Sequence, residues 1–284
     1  MKDQASNLRI LMHEKNHQRQ VPFLTEQKRI VVVSGKGGVG KSFFSLHLAY
    51  ALKSQNEKVL LIDSNLQNPS LHILTNSDPI YPVNHWIAEA IPIDETALIP
   101  LDKNLDLLGN NASSRPQKRY FQGNANIFLE VLTPLASRYN YIVVDTQTGL
   151  GEWNLSLMDW ADVSFLLSIT DPTSVIDTYT LTKAVLHYLT DTRLELVINQ
   201  VIDKKSGLEA YHNLNLALQH FLDFKIELAS IIPFETEIRE ACIEQKPLWE
   251  RNKTTRAMRE IKKLAQTFKS RGLKAKIANQ EATI

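Results

Sequence analysis

The stretch Ser34-Gly-Lys-Gly-Gly-Val-Gly-Lys41-Ser42 constrains this chain more than any other. Gly35, Gly37, Gly38 and Gly40 lack a Cβ, so the backbone around Lys36 and Val39 can fold tightly and aim its N–H groups at phosphate oxygens. The run before it, Arg29–Val33, reads as a buried parallel strand. The run after it, Phe43–Ser54, has helical periodicity, with Leu46, Leu48, Ala49 and Leu52 available for packing. Strand, glycine loop and helix in that order is the context a phosphate loop requires. The helix start favours an anion. Lys41 can neutralise β/γ-phosphate charge and the Ser42 hydroxyl can bind magnesium, so the stretch implies a nucleoside triphosphate with Mg2+. The alternative, a flexible Gly-rich turn, leaves the agreement of the whole pattern with its flanks unexplained.

Further apolar runs alternate with helical segments. Strands are expected at Val59–Ile62, Leu105–Leu108, Tyr141–Val144, Val163–Ile169, Leu194–Ile198 and near Glu227–Ala229. Helices are expected at Lys41–Ser54, Ile127–Ser137, Ser174–Leu189, Leu208–Phe221, Thr236–Glu244 and Thr255–Lys269. This alternation predicts an α/β fold, a doubly wound and mostly parallel sheet flanked by helices, with the ligand at the carboxyl ends of the strands. The 284 residues suffice for one large domain. We divide them into 1–28 (a short helix near Asp3–His13 and a linker), a domain at 29–270 and a basic tail at 271–284. Residues 109–126, rich in Asn, Ser, Gln and Arg, read as a long surface loop. The formal net charge of +1 gives no global pull toward nucleic acid. The single cysteine, Cys242, excludes an internal disulfide framework and a Cys-rich metal site within one chain, and fits a reducing cytoplasm. No apolar run is long enough to span a bilayer.

Lys36 narrows the class. A second lysine early in the loop resembles the deviant Walker A motif of the MinD/ParA family, P-loop NTPases of the SIMIBI class. The resemblance implies that Lys36 reaches across a homodimer to the partner's nucleotide, that ATP holds the dimer together and that hydrolysis releases it; a solvated surface lysine is the plain alternative. Asp63 ends the apolar strand Lys58–Asp63, where a carboxylate can orient magnesium or its waters. Asp63-Ser-Asn65-Leu66 occupies the family's Asp-x-Asp switch, whose second Asp orients the attacking water. Here that position is Asn65, whose amide cannot accept a proton as a carboxylate can, so slow hydrolysis is expected. Tyr141–Asp145 followed by Thr146-Gln-Thr148-Gly149 resembles the Walker B strand and second switch, which implies that Asp145 holds magnesium through water. Thr148 departs from the usual small or Pro residue. The resemblance also implies that Asn199, at a strand end, hydrogen-bonds adenine, and that Ile232-Pro233-Phe234 lies beside the base. An Asn at a strand end is also a common turn former.

Within that family, two segments resemble the FlhG branch (also YlxH or FleN) of flagellar-number regulators. One is Asp3-Gln4-Ala5-Ser-Asn-Leu8-Arg9, similar to a segment that forms a helix and stimulates an FlhF-type GTPase of the signal-recognition class. A frayed polar N-terminus is the alternative. The other carries Pro172, Asp177, Tyr179 and Lys183, and Ala241 with Gln245-Lys-Pro247 also matches. Pro69-Ser70-Leu71-His72 differs from the branch pattern. From Thr255 to Lys269, Met258, Ile261, Ala265 and Phe268 share one face beside basic residues. One reading is an amphipathic helix on the cytoplasmic face of the inner membrane, attracted weakly to anionic lipid. The preferred reading is the last helix of the domain, packed on the sheet. A DNA-partitioning ATPase is disfavoured by the near-neutral charge, and a metal-cofactor carrier by the lack of paired cysteines.

Overall fold

The structure, a computed structural model, describes residues 27–111, 125–189, 191–251 and 254–281. The N-terminal segment from Asp3 to Arg9 and most of the 109–126 loop lie outside the described residues.

Eight strands form one sheet: β1 (Lys28–Val33), β2 (Val59–Asp63), β3 (Leu98–Asp102), β4 (Leu105–Leu108), β5 (Tyr141–Asp145), β6 (Val163–Ser168), β7 (Leu194–Val201) and β8 (Glu227–Pro233). Their order is β3-β4-β2-β5-β1-β6-β7-β8. All neighbouring pairs are parallel except β3–β4. The expected strands are all present. The strand that the apolar pattern does not reveal is β3, whose Leu-Ile-Pro-Leu-Asp run carries Pro100 and sits at the antiparallel edge, where a missing N–H is tolerated.

The helices are α1 (Lys41–Lys53), α2 (Leu71–Leu74), α3 (Val83–Glu89), α4 (Asn126–Ala136), α5 (Glu152–Trp160), α6 (Pro172–Tyr188), α7 (Lys204–Leu222), α8 (Thr236–Ile243) and α9 (Arg256–Glu281). Of these, α2, α3 and α5 were not expected. The first two are short, and Glu152–Trp160 mixes Trp, Leu and Met with Asn, Ser and Asp without a clean stripe. The last helix runs on past the expected boundary at residue 270.

The central strands are buried on both faces, which is why they read as unbroken apolar runs. Alternate residues divide between two cores. Val31 and Val33 join the side chains of α3 to α7, whereas Ile30 and Val32 join those of α1 and α9. Met258, Ile261, Leu264, Ala265 and Phe268 are buried in the second core, so the apolar stripe of α9 covers α1 and the sheet as the preferred reading expects. Among the described residues, no helix is long and apolar enough to cross a membrane.

Position follows from this topology. Chain leaving β1 crosses to β2 on one side, and chain leaving β5 crosses to β6 on the other. The carboxyl ends of β1 and β5 therefore open on the crevice where an open α/β sheet takes its ligand.

Candidate functional site: a phosphate loop between two switches

The phosphate loop joins β1 to α1 with a backbone that only glycine accepts at two points. Gly38 and Gly40 have φ of +78° and +91°, in the left-handed region. At Gly40 the surroundings are also tight: a Cβ there would lie 2.5 Å from Asn199 Nδ2, which would have to move off the Val39 carbonyl. At Gly35 it would lie 2.5 Å from the main-chain oxygen of Asp177 on α6. The loop is thus pressed between β7's end and α6.

Lys41 reaches back under the loop. Its Nζ donates to Ser34 Oγ and to Thr148 Oγ1, each at 2.9 Å, and Ser34 Oγ donates to the Lys36 carbonyl at 2.7 Å. The side chain is 8% exposed, and burial lowers its pKa while the nearby Asp145 carboxylate raises it. Thr148, which departs from the family pattern, therefore has a place in this structure as an acceptor for the loop lysine.

The carboxylates sit side by side at the ends of paired strands, Asp63 opposite Asp145. Ser42 Oγ donates to Asp145 Oδ2 at 2.5 Å, Ser45 Oγ donates to Oδ1 at 3.3 Å and Ser70 Oγ donates to Ser42 Oγ at 2.7 Å. Asp63 is committed to the chain that follows it: it accepts from the N–H groups of Asn65, Ser70 and Leu71 at 3.1, 2.9 and 2.9 Å. Both carboxylates are fully buried. Desolvation pushes both pKa values up, with mutual repulsion adding for Asp63, and hydrogen bonds from Ser42 and then attraction to Lys41 opposing it for Asp145. A hydroxyl and a carboxylate beside a phosphate loop, with a second carboxylate behind, are hard oxygen donors short of compensating positive charge. That donor set fits Mg2+, which is bound by one or two carboxylates plus phosphate oxygens and water rather than by an all-protein cage. No cluster of three or more His, Cys, Asp or Glu suited to a metal occurs among the described residues.

Two switch candidates flank this centre. Asn65 lies in the loop after β2, and its Oδ1 accepts from the N–H of Asn68 at 3.1 Å, three residues on. After β5, Gly149 (φ +87°) donates its N–H to the Ser34 carbonyl at 2.9 Å. Asn154 on α5 donates to the carbonyls of Gln147 and Gly149 at 2.9 and 2.7 Å, clamping this loop. Asn154 escaped the sequence reading, and Ser34 and Ser70, though named there, were given no role, because single polar residues do not announce partners remote in sequence.

Lys36 points away from Lys41. Its Nζ donates to Asp171 Oδ2 at 2.6 Å and to Thr173 Oγ1 at 2.5 Å, at the start of α6. The ion pair and Thr173 hold the Asp171 carboxyl down at about 2. Asn199 donates from Nδ2 to the Val39 carbonyl at 2.8 Å, and Gln200 from Nε2 to that of Gly38 at 3.0 Å. Asn199 thus braces the phosphate loop from below, a contact its strand-end position did not announce. Pro233 ends β8 opposite Val201, one strand over. Loop, carboxylates, both switch segments and Asn199 are brought together; Pro233 lies beside them.

Comparison with known proteins agrees with this geometry. A family profile described as "ParA: NUBPL iron-transfer P-loop NTPase" matches residues 25–269. The antiactivator FleN of Pseudomonas aeruginosa is 26% identical over 242 residues, covering 85% of this chain and 86% of that one. The flagellum site-determining protein YlxH of Helicobacter pylori is 28% identical over 216 residues, covering 75% and 72%. Among solved structures, the septum site-determining protein MinD of Pyrococcus horikoshii, complexed with Mg-ADP, superposes with a TM-score of 0.68 at 20% identity, over 85% of this chain and 96% of its own.

Proposed function

The chain belongs to the ParA family of P-loop NTPases, and from that premise we propose that it is an ATP-binding, ATP-dependent dimerising regulator of flagellar number or placement. The observation that carries the reading is the division of labour between two lysines. Lys41 is buried under the loop and faces its own phosphate site, whereas Lys36 is turned outward and held at the start of α6 by Asp171 and Thr173. A lysine stored beside the phosphate loop but not directed into it is suited to a second subunit's nucleotide.

Backbone N–H groups from Gly37 to Ser42 bind the β/γ-phosphates, and Lys41 balances their charge. Ser42 and Asp145 would hold Mg2+, with Asp63 fixing the loop behind them; bound there, the ion offsets charge on the phosphates. Catalysis by Lys36, Lys41 and Asn65 then amounts to charge compensation and water positioning. With its amide oxygen engaged by Asn68, Asn65 is a weak water-orienting group, and hydrolysis is slow. Asn199, through its free amide oxygen, and Pro233 border the base.

The flagellar assignment rests on similarity to FleN and YlxH, and the FlhF-type GTPase partner on residues Asp3 to Arg9. The family description favours a second reading, iron transfer. The single cysteine argues against it, since Cys242 lies half-buried on α8 with its thiol pushed up by burial. The test is twofold. Light scattering should show a dimer with Mg-ATP and a monomer with Mg-ADP. The full chain, but not one lacking residues 1–20, should stimulate GTP turnover by the cognate FlhF-type GTPase; equal GTP turnover with both would remove the flagellar reading.

A further inference from the structure

A cavity of about 720 Å3 lies outside the nucleotide site. One wall is α7 with the turn before it, presenting Ile202, Lys204 and Leu208; the other is α9, presenting Arg256, Arg259, Lys263 and Thr267. Its floor is Leu228, Ala229, Ser230 and Ile231 of β8. Since α7 and α9 cover opposite faces of the sheet, a cavity touching both must pass over the sheet's edge. It does so along β8, the terminal strand. The cavity meets the base-site border at Val201 and Pro233 and then runs away from the phosphate loop, no residue of which lines it.

Natural sheets usually protect such an edge with an inward charge, a proline or a covering element. Here Pro233 stands only at the far end, and the middle of the strand is Leu-Ala-Ser-Ile. The two helices flank the edge without closing it. Gly207 is part of the reason the α7 wall stands so close, since a Cβ there would meet Ile231 Cγ2 at 3.0 Å. The walls differ in chemistry. The α7 wall exposes Leu208 (43%) and Ile202 (84%), with Asp203 and Lys204 between them. The α9 wall exposes Arg256, Arg259 and Lys263. Glu260 pairs with Lys263, Glu235 just outside the lining pairs with Arg256, and Asp203 caps α7 by accepting from the Ser206 N–H, so the wall's positive charge is partly balanced and Arg259 stands between the two pairs.

We propose that this trough docks an extended partner segment that adds to β8 as a further strand and alternates apolar with acidic residues. An added strand turns successive side chains to opposite faces of the sheet. One set would then meet the apolar α7 wall and the other the cationic α9 wall, so charge complementarity selects acidic residues at every second position. A nucleic acid or a lipid surface would use the cations but not the strand edge.

The test uses the full chain and a labelled peptide of about eight residues alternating valine and glutamate, long enough to span the floor at about 3.3 Å per residue. Fluorescence anisotropy should show binding that weakens at least about tenfold in an Arg259→Glu/Lys263→Glu variant, as charge reversal across an interface does. Basal ATP turnover should not change. Binding should also be lost when alternate peptide nitrogens are methylated, a readout independent of any variant's folding. Hydrogen exchange should show those Leu228–Ile231 amides that point away from β7 gaining protection with the unmethylated peptide. No binding, equal binding of the methylated peptide, or strong protection, before peptide is added, of the amides in this stretch that do not face β7 would overturn the proposal. So would binding of duplex DNA or phosphatidylserine vesicles, lost in the charge-reversed variant, with no binding of the peptide.

Discussion

His47 sits in the middle of α1 and is buried, nearly two turns beyond the phosphate-binding end. Its Nδ1 lies 2.8 Å from the Phe43 carbonyl, to which it donates, so Nε2 is the acceptor for the Leu248 N–H at 3.0 Å. The neutral ring thus ties the phosphate-loop helix to the Leu248–Glu250 turn, and it stacks on Phe43 at 4.0 Å between centroids. A second proton would face the Leu248 N–H with no acceptor. Burial accordingly lowers the pKa from 6.5 to about 4, with the Phe43 carbonyl opposing. The sign follows from linkage: between those values the unfolded chain binds a proton that the folded chain refuses. Stability is therefore full above pH 6.5, falls as pH drops and has lost its whole His47 share near pH 4. At about 1.4 kcal/mol per pKa unit, that share is about 3 kcal/mol. The raised carboxylates Asp63 and Asp145 contribute with the opposite sign, so the wild-type profile alone is not diagnostic. The comparison is with His47→Gln, which keeps an acceptor for Leu248 but does not titrate. Urea unfolding at pH 7.5, 6, 5 and 4.5 should show the stability difference between the two proteins shrinking or reversing by about 2 kcal/mol across this window. A difference that stays flat with pH would refute the reasoning.

Three further outcomes follow from the site. Gly40→Ala adds a Cβ at φ +91° and against Asn199, so it should lose about 2 kcal/mol or more in thermal unfolding together with Mg-ATP affinity; Gly38→Ala, with open space around it, should cost only the backbone share of about 1 kcal/mol. Lys36→Met should leave ATP binding intact in a nucleotide titration while abolishing the Mg-ATP-dependent dimer in light scattering; an unchanged dimer would remove Lys36 from the interface. Asn65→Asp restores a carboxylate at the switch and should raise ATP turnover in a phosphate-release assay, by about tenfold or more if water activation limits the rate; a wild-type rate equal to or above the variant's would defeat that expectation.

Most of the sheet was legible because buried parallel strands must be apolar on both faces, and Arg29–Val33, Tyr141–Val144 and Val163–Ile169 leave little else to be. The edge strand β3 was not, because Pro100 and a solvent-facing side break that signal. The strand, glycine loop and helix were legible in the sequence, and Gly38 and Gly40 do take the left-handed conformation that the tight turn asks of glycine. What surrounds the loop was legible only in part. Asp145 meets Ser42, whereas Asp63 turns to the backbone of its own loop and Asn199 to Val39. Those contacts depend on which way a side chain leaves the strand end, a choice made by packing rather than by pattern. Asn154 and Thr148 went unassigned for the same reason: their partners are remote in sequence.

The most direct test of the nucleotide reading is isothermal calorimetry of Mg-ATP into the full-length protein and into Lys41→Ala. We expect saturable heat near one site per chain for the wild type, weakened when Mg2+ is chelated, and little or none for the variant. Folded wild-type protein that takes up no Mg-ATP would contradict the account at its root.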